Sequence, residues 1–170
     1  MTEVLDHDRQ RILARRARAL ARPGHVATHY ARENYLICRV ERSLYALHVR
    51  FIFEIARRVE VIPIPGAPSP FAGIVPLRSE LFPVIDVAAW LGSETVRSAR
   101  SFFVACGGAR PELAIAVDEV LEVQRIDAGA IIASGAPGKF GHTEDGVTVL
   151  DGDRLLSDPG LHLTRSDQGF

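Results

Sequence analysis

From Asn34 onward the chain is a series of short apolar runs separated by turn residues, with a new run about every ten residues. Two neighbouring runs carry an apolar residue at every second position: Leu36, Cys38 and Val40, then Tyr45, Leu47 and Val49. A period of two is that of a β-strand with one buried face, and the polar residues 41–43 between the runs favour a turn. The sequence therefore predicts an all-β protein that begins with a hairpin.

Later apolar runs continue the pattern and predict about nine or ten short strands in total. They lie at 51–55, 59–64, 71–77, 81–86, 101–106, 113–117, 120–126 and 147–150. Residues 65–70 hold three prolines and predict an irregular loop, whereas 87–91 and 151–156 suit short helices. No repeat of fixed period is apparent. So many short strands favour one or two small closed barrels, because closure removes exposed sheet edges.

The N-terminal residues 1–24 differ in character and predict an appended amphipathic α-helix rich in arginine. Its apolar residues form a narrow stripe: Ile12, Leu13, Ala17 and Leu20. Such a helix covers apolar surface on its own domain or a neighbouring subunit, or it docks on an acidic partner or a membrane surface. The remaining predicted boundaries are a linker at 25–33, a folded domain at 34–162 and a frayed tail at 163–170.

The charge and the cysteine content argue against several classes of function. The formal net charge is −1, so the molecule as a whole has no field that would attract nucleic acid. Cys38 and Cys106 lie far apart inside apolar runs, which predicts buried core thiols rather than zinc ligands. No apolar stretch reaches the ~20 residues that span a bilayer. We therefore expect a soluble protein of the reducing cytoplasm, without direct membrane insertion.

The sequence contains no motif that predicts catalysis, a cofactor or a metal. Residues 133–140 come nearest to a phosphate-binding loop, but the leading Gly and the Ser or Thr after Lys139 are missing. The six histidines are dispersed. Residues 151–153 begin like a calcium loop but continue without oxygen ligands, so they are better interpreted as a turn that caps a helix. The expected protein is not an enzyme.

Two charged residues, Glu54 and Arg78, stand among apolar neighbours in predicted strands. A charge that is buried needs a partner, so each of these side chains would require one if its strand face is buried. Loss of one partner from a buried pair would cost ~3–5 kcal/mol. The alternative is that each residue lies on the solvent-facing side of its strand.

The order of these runs resembles the CheW-like domain, a family found in chemotaxis coupling proteins and at the C-terminus of CheA kinases. Residues 73–87, GIVPLRSELFPVIDV, follow the Pro-rich loop and resemble the family's pattern G-[VI]-x-N-L-R-G followed by P-[VI]-[VI]-D-L. Residues 117–123, VDEVLEV, resemble its second hallmark, V-D-x-V-x-E-V. The resemblance covers the chain from Asn34 to about His162. Pro76 stands where Asn is usual and Ser79 where Gly is usual, so a positive φ at Ser79 would be costly.

The resemblance implies two interlocked, SH3-like, five-stranded β-barrels and a non-enzymatic coupling role between methyl-accepting chemoreceptors and a CheA-type histidine kinase. One barrel face would pair with the regulatory domain of the kinase, and a groove between the barrels would receive the receptor's cytoplasmic tip. It also implies a Glu54–Arg78 ion pair bracing the first barrel. The candidate partner-binding residues that it suggests are Ile52, Phe53, Gly73, Arg78, Ser79 and Asp118.

Other functions compete with this interpretation. The same domain could serve as a regulator of pilus motility or gene expression, which the residues alone do not separate from chemotaxis. A small nucleic-acid-binding barrel would require aromatic stacking platforms beside a basic groove, and aromatic residues make up only 7% of the chain. An enzyme would require polar residues that converge in a pocket.

Deletion of residues 1–24 tests the predicted domain boundary. We expect the truncated protein to unfold cooperatively in urea, because the strand pattern begins after this segment and is complete without it. Circular dichroism and size-exclusion chromatography provide the measurement. Aggregation of the truncated protein would instead show that the apolar stripe of the segment covers essential core surface.

Overall fold

The computed structural model describes residues 31–93 and 100–161. The predicted helix at 1–24, most of the predicted linker and the predicted tail at 163–170 lie outside these ranges. Strand β1 begins at Arg32, so the last two residues of the segment predicted as linker belong to a sheet.

The described residues form eleven strands and two short α-helices, which confirms the all-β fold class. The strands are β1 Arg32–Val40, β2 Ser43–His48, β3 Ile52–Arg57, β4 Phe71–Leu77, β5 Glu80–Asp86, β6 Phe102–Gly107, β7 Pro111–Val117, β8 Glu119–Asp127, β9 Ile132–Ala133, β10 Lys139–His142 and β11 Thr148–Leu150. The helices are α1 Val87–Trp90 and α2 Gly152–Ser157. Three single 3-10 turns complete the list: Val49–Phe51, Ala128–Ala130 and Pro159–Leu161.

The structure differs from the sequence prediction at three places. Val49 leaves the second strand for a 3-10 turn, in which the His48 side chain accepts the backbone N–H of Arg50. Within the predicted run 59–64, only Ile62 pairs with another strand, through an isolated bridge. Strands β9 and β10 were not predicted, because they are short and surround a Gly- and Pro-containing loop.

The strands form two sheets, and the chain passes from one to the other and back. The first sheet has the order β8-β1-β2-β11-β10-β9, and the second has the order β3-β6-β7-β5-β4. We call the first the terminal barrel, since its strands come from both ends of the described chain, and the second the central barrel. The terminal barrel holds six strands rather than five because it includes the two-residue β9. Residues 52–117, which contain the central barrel, are thus enclosed between strands of the terminal barrel.

The central barrel closes through the segment that follows β3. Ile62 and Ile74 exchange two backbone hydrogen bonds of 2.8 Å, which brings this segment against β4, at the opposite edge of the sheet. Gly73 permits this approach: a Cβ at this position would lie 2.5 Å from the Ile62 carbonyl oxygen. Gly141 makes the same approach in the terminal barrel, where a Cβ would lie 2.5 Å from the Ile132 carbonyl oxygen.

Three buried clusters fill the interior of the part of the chain that the structure describes. The largest, which we call the shared core, lies between the two sheets and draws on both, for example through Leu36 and Leu47 from one and Val104 and Ile115 from the other. Two smaller clusters lie inside the barrels, and Tyr35 and Ala114 are members of them. Strands β1 and β7 are therefore buried on both faces. Cys38 and Cys106 are buried free thiols of the shared core, as predicted.

The two barrels have the same topology because the chain contains a repeat that the sequence did not reveal. Each residue in 35–57 corresponds to the residue a fixed number of positions later, in 103–125. Cys38 therefore matches Cys106, and the cross-strand pair Cys38–Tyr45 matches the pair Cys106–Leu113. In each half the second strand of this hairpin also pairs in parallel with the strand that precedes a short helix. The first hairpin of each repeat belongs to the barrel formed mainly by the other repeat: β1 and β2 pair with strands of the second repeat, and β6 and β7 pair with strands of the first. The barrels are therefore interlocked.

Substitution of Gly73 by Ala tests the closure of the central barrel. The added methyl group would meet the Ile62 carbonyl, and the φ of +146° at Gly73 is itself unfavourable for alanine. We expect a loss of about 1–3 kcal/mol in the free energy of unfolding, measured by urea titration. Gly135→Ala is the matched control, since nothing lies within 4 Å of the Cβ it would add. Equal stability of the two variants would contradict this account.

Candidate functional site

Four exposed apolar side chains lie at matching positions on one edge strand of each barrel. Phe53 and Ile55 project from β3, and Leu121 and Val123 project from β8, with exposed fractions between 42% and 58%. The two strands are ends of their sheets in the hydrogen-bonding order. The repeat explains the match, because residues 52–57, IFEIAR, correspond to residues 120–125, VLEVQR.

Backbone bulges lie at two of these side chains, Phe53 and Leu121. A bulge interrupts the pairing of β3 with β6 between Ile52 and Glu54, and an equivalent bulge interrupts β8 opposite Ile37 and Cys38. Bulges are common where a sheet edge must turn a side chain outward. Exposed apolar residues bordered by charged ones are typical of a protein-interaction surface. We call residues 53–57 the β3 face and residues 121–125 the β8 face.

Arg78 and Glu54 meet, with Arg78 Nε 2.7 Å from Glu54 Oε2. Arg78 lies in the β4–β5 turn and Glu54 in β3, so the pair joins the two edges of the central barrel sheet. The Arg78 side chain is 80% exposed and that of Glu54 is 28% exposed. The expectation of a buried pair is therefore wrong, and a pair exposed to this degree stabilises the fold by only ~0–1 kcal/mol.

The turn that carries Arg78 is strained. Arg78 has a φ of +46° and Ser79 a φ of +70°, and neither is glycine. A two-residue turn with both φ values positive is normally made by Asn-Gly or Gly-Gly, which match the twist of the two strands at little cost. Ser79 therefore adopts the positive φ that the sequence marked as costly, and this cost is of order 1–3 kcal/mol.

The other candidate partner-binding residues occupy different environments. Phe53 is exposed on the β3 face, whereas Ile52 is half-buried and packs on the shared core. Gly73 is buried beneath the Ile62 backbone, so its role in the structure is barrel closure. Asp118 is held in a network of ionic contacts between the two barrels.

This network, which we call the ionic cluster, surrounds the Arg100 guanidinium. Nη1 of Arg100 lies 2.8 Å from both carboxylate oxygens of Asp118, and Nη2 lies 3.3 Å from Asp86 Oδ2 and 3.5 Å from Glu41 Oε1. The Arg100 side chain is only 6% exposed. Asp118 also accepts a 2.5 Å hydrogen bond from the Glu41 backbone N–H, and its own N–H donates to the Arg39 carbonyl.

The ionic cluster shifts the protonation equilibria of its members. Burial disfavours the charge of Asp118, but the hydrogen bonds from Arg100 and from the Glu41 N–H, with the charges of Arg100 and Arg39, outweigh it and lower the pKa of the carboxyl. Burial also opposes the charge of Arg100, but hydrogen bonds and charges from Asp118 and Asp86 raise its pKa. The contacts therefore favour the ionised form of Asp118 and the protonated form of Arg100.

Sequence reasoning missed Arg100. Its partners come from the β1–β2 turn, the end of β5 and the β7–β8 junction, which are distant in sequence. From the sequence alone, Arg100 cannot be distinguished from any exposed arginine that precedes a strand. Asp86 did carry a local signal, since its side chain accepts the N–H groups of Ala88 and Ala89 and thereby caps α1.

Within residues 31–93 and 100–161, no group of three or more His, Cys, Asp or Glu side chains is placed to hold a metal ion. None of the helices in this part of the chain is long and apolar enough to cross a bilayer. Burial raises the pKa of the Cys38 thiol to about 12, so it is an unreactive core residue.

Two interlocked barrels with apolar faces on their edge strands define a scaffold-type domain, whose exposed features suit docking. The model of the CheW-like domain family matches residues 34–159, so this chain belongs to the CheW-like domain family. The predicted family resemblance is thus confirmed.

Two relatives illustrate the similarity. The chain is 24% identical over 117 residues to the chemotaxis protein CheW of Thermotoga maritima, an alignment that covers 69% of this chain and 78% of the relative. It also matches the crystal structure of the scaffolding protein TtCheW from Thermoanaerobacter tengcongensis, with a TM-score of 0.61 and 23% identity over 71% of this chain and 90% of the other. The second comparison supports the fold alone.

Asp118→Asn tests the ionic cluster through pH. Because folding lowers the pKa of Asp118, its carboxylate stabilises the fold above the ordinary value of 3.8, and this contribution is lost as the pH falls below it. We expect the variant to unfold at lower urea concentration than wild type at neutral pH, with a difference that shrinks as the pH falls below 3.8. Asp145→Asn, in an exposed turn, serves as control. A difference independent of pH would exclude the carboxylate charge as the cause.

Proposed function

We propose that this protein is a cytoplasmic, non-enzymatic coupling protein that docks on the regulatory domain of a CheA-type histidine kinase and on the cytoplasmic tip of a chemoreceptor. The observation that carries the proposal is the exposed apolar β3 face, at the edge of a closed barrel. Phe53 and Ile55 would lose contact with water on binding, and Arg57 would form part of the polar rim.

The kinase contact fits the β3 face because the regulatory domain of a CheA-type kinase is itself CheW-like. Two related barrels can meet edge to edge, with apolar residues at the centre of the contact and charged residues at its rim. A transient signalling contact of this kind buries less than the ~1,600 Å² of a standard interface. Micromolar affinity, about −8 kcal/mol, is sufficient for it.

We assign the receptor tip to the groove between the two barrels. A helical hairpin in that position would touch both barrels at once, so its affinity depends on how the barrels are oriented. Membership of the CheW-like family and the name of the Thermotoga maritima relative support a role in chemotaxis. No described residue favours pilus motility or gene expression over it.

Isothermal titration calorimetry of the full chain against the kinase regulatory domain tests the proposal, with a receptor-tip fragment as second titrant. Phe53→Ser should weaken kinase binding about tenfold or more, because an aromatic residue at the centre of an interface often contributes over ~1.4 kcal/mol. Phe140→Ser is the matched control, since Phe140 is also an exposed aromatic residue but lies on β10.

If the wild-type protein binds neither titrant at concentrations up to about a hundred micromolar, its binding free energy is weaker than about −5.5 kcal/mol and the coupling role is removed. Equal loss of affinity in the Phe53 and Phe140 variants would place the kinase contact away from the β3 face. Both variants must first give the wild-type circular dichroism spectrum.

A further inference from the structure

The ionic cluster lies where the chain crosses from one barrel to the other. Asp118 is the single residue between β7 of the central barrel and β8 of the terminal barrel. Arg100 and Asp86 belong to the central barrel side, next to β6 and at the end of β5. Glu41 belongs to the turn between β1 and β2 of the terminal barrel. Arg100 therefore contacts carboxylates from both barrels and from the crossing point.

The contacts of Arg100 are directional, whereas those of the shared core are not. Apolar burial holds the two sheets together but is tolerant of small rotations, because its energy depends on area rather than on angle. The planar guanidinium donates to both oxygens of Asp118, and the same carboxylate accepts the Glu41 backbone N–H. Such paired, charge-assisted hydrogen bonds fix geometry as well as energy.

The low exposure of Arg100 strengthens this constraint. A charged group that is 6% exposed cannot exchange its carboxylate partners for water at little cost. By contrast, the nearby pair of Arg39 and Glu119 is about half exposed and joins β1 to β8, two strands of the same barrel. Arg100 thus makes contacts between the two barrels, whereas Arg39 makes a contact within the terminal barrel.

We propose that Arg100 is a positioning residue that sets the orientation of the central barrel relative to the terminal barrel. It acts through Asp118 and the β1–β2 turn and has no direct contact with a partner. This inference rests on the proposed function in one respect: a ligand that touches both barrels requires the orientation, whereas a ligand that docks on the β3 face does not.

The orientation can be measured without any partner. Spin labels on Ala109→Cys, in the β6–β7 turn, and Asp145→Cys, in the β10–β11 turn, place one probe on each barrel at exposed positions. The native thiols are buried, so they do not compete for label. Double electron–electron resonance should give a single narrow distance distribution for the wild-type background. With Arg100→Gln the distribution should broaden and shift, and with the control Arg39→Gln it should not.

Binding provides the second readout. If the Arg100 variant holds the wild-type orientation about a tenth of the time, its apparent dissociation constant for the receptor-tip fragment rises about tenfold. Its affinity for the kinase regulatory domain should stay at the wild-type value. A purely structural loss would weaken both ligands in proportion to the unfolded fraction, so the split between the ligands identifies positioning.

An unchanged distance distribution in Arg100→Gln would overturn the inference. If that variant does not fold, Asp118→Asn replaces it, since it keeps an oxygen for the Glu41 N–H and removes only the charge that holds Arg100; an unchanged distribution there overturns the inference equally. Failure of the wild-type protein to bind either ligand would reject the proposed function and leave the distance measurement to decide the role of Arg100.

Discussion

The shared core between the two sheets is the contact on which the rest of the structure depends. It is built by residues of both barrels and includes Cys38 and Cys106, which occupy matching positions in the two repeats. Neither repeat can bury this surface alone, because each contributes its first hairpin to the barrel completed by the other. The apolar driving force for joining the barrels is therefore also the driving force for forming them.

Polar contacts then give this apolar arrangement its geometry. The Ile62–Ile74 bridge, made possible by Gly73, closes the central barrel, and the ionic cluster ties the crossing point at Asp118 to the β1–β2 turn. Because the two repeats fold alike, they place similar apolar side chains at similar edges, and Phe53 and Leu121 are exposed for the same reason. The candidate docking faces are thus a product of the duplicated fold.

The same physics explains which predictions from sequence succeeded. Apolar runs bounded by turn residues located strands such as β1 and β7, but not the two-residue β9. The Glu54–Arg78 pair was implied by the family resemblance, and the two side chains do meet, but the exposure of Arg78 was not anticipated because a residue in a turn can reach past the strand beside it. The repeat remained hidden, because equivalent positions share apolar character more often than identity.

The sequence by itself determined the fold class, the buried thiols, the family and the costly turn at Ser79, since these depend on local patterns of side chains and backbone preference. The family resemblance already implied interlocked barrels, but only the tertiary structure decided which hairpins are exchanged, the exposure of the β3 and β8 faces and the role of Arg100. Each of these requires residues far apart in the chain to meet. Arg100 is the clearest case, because its charge is acceptable at 6% exposure only when Asp118, Asp86 and Glu41 surround it.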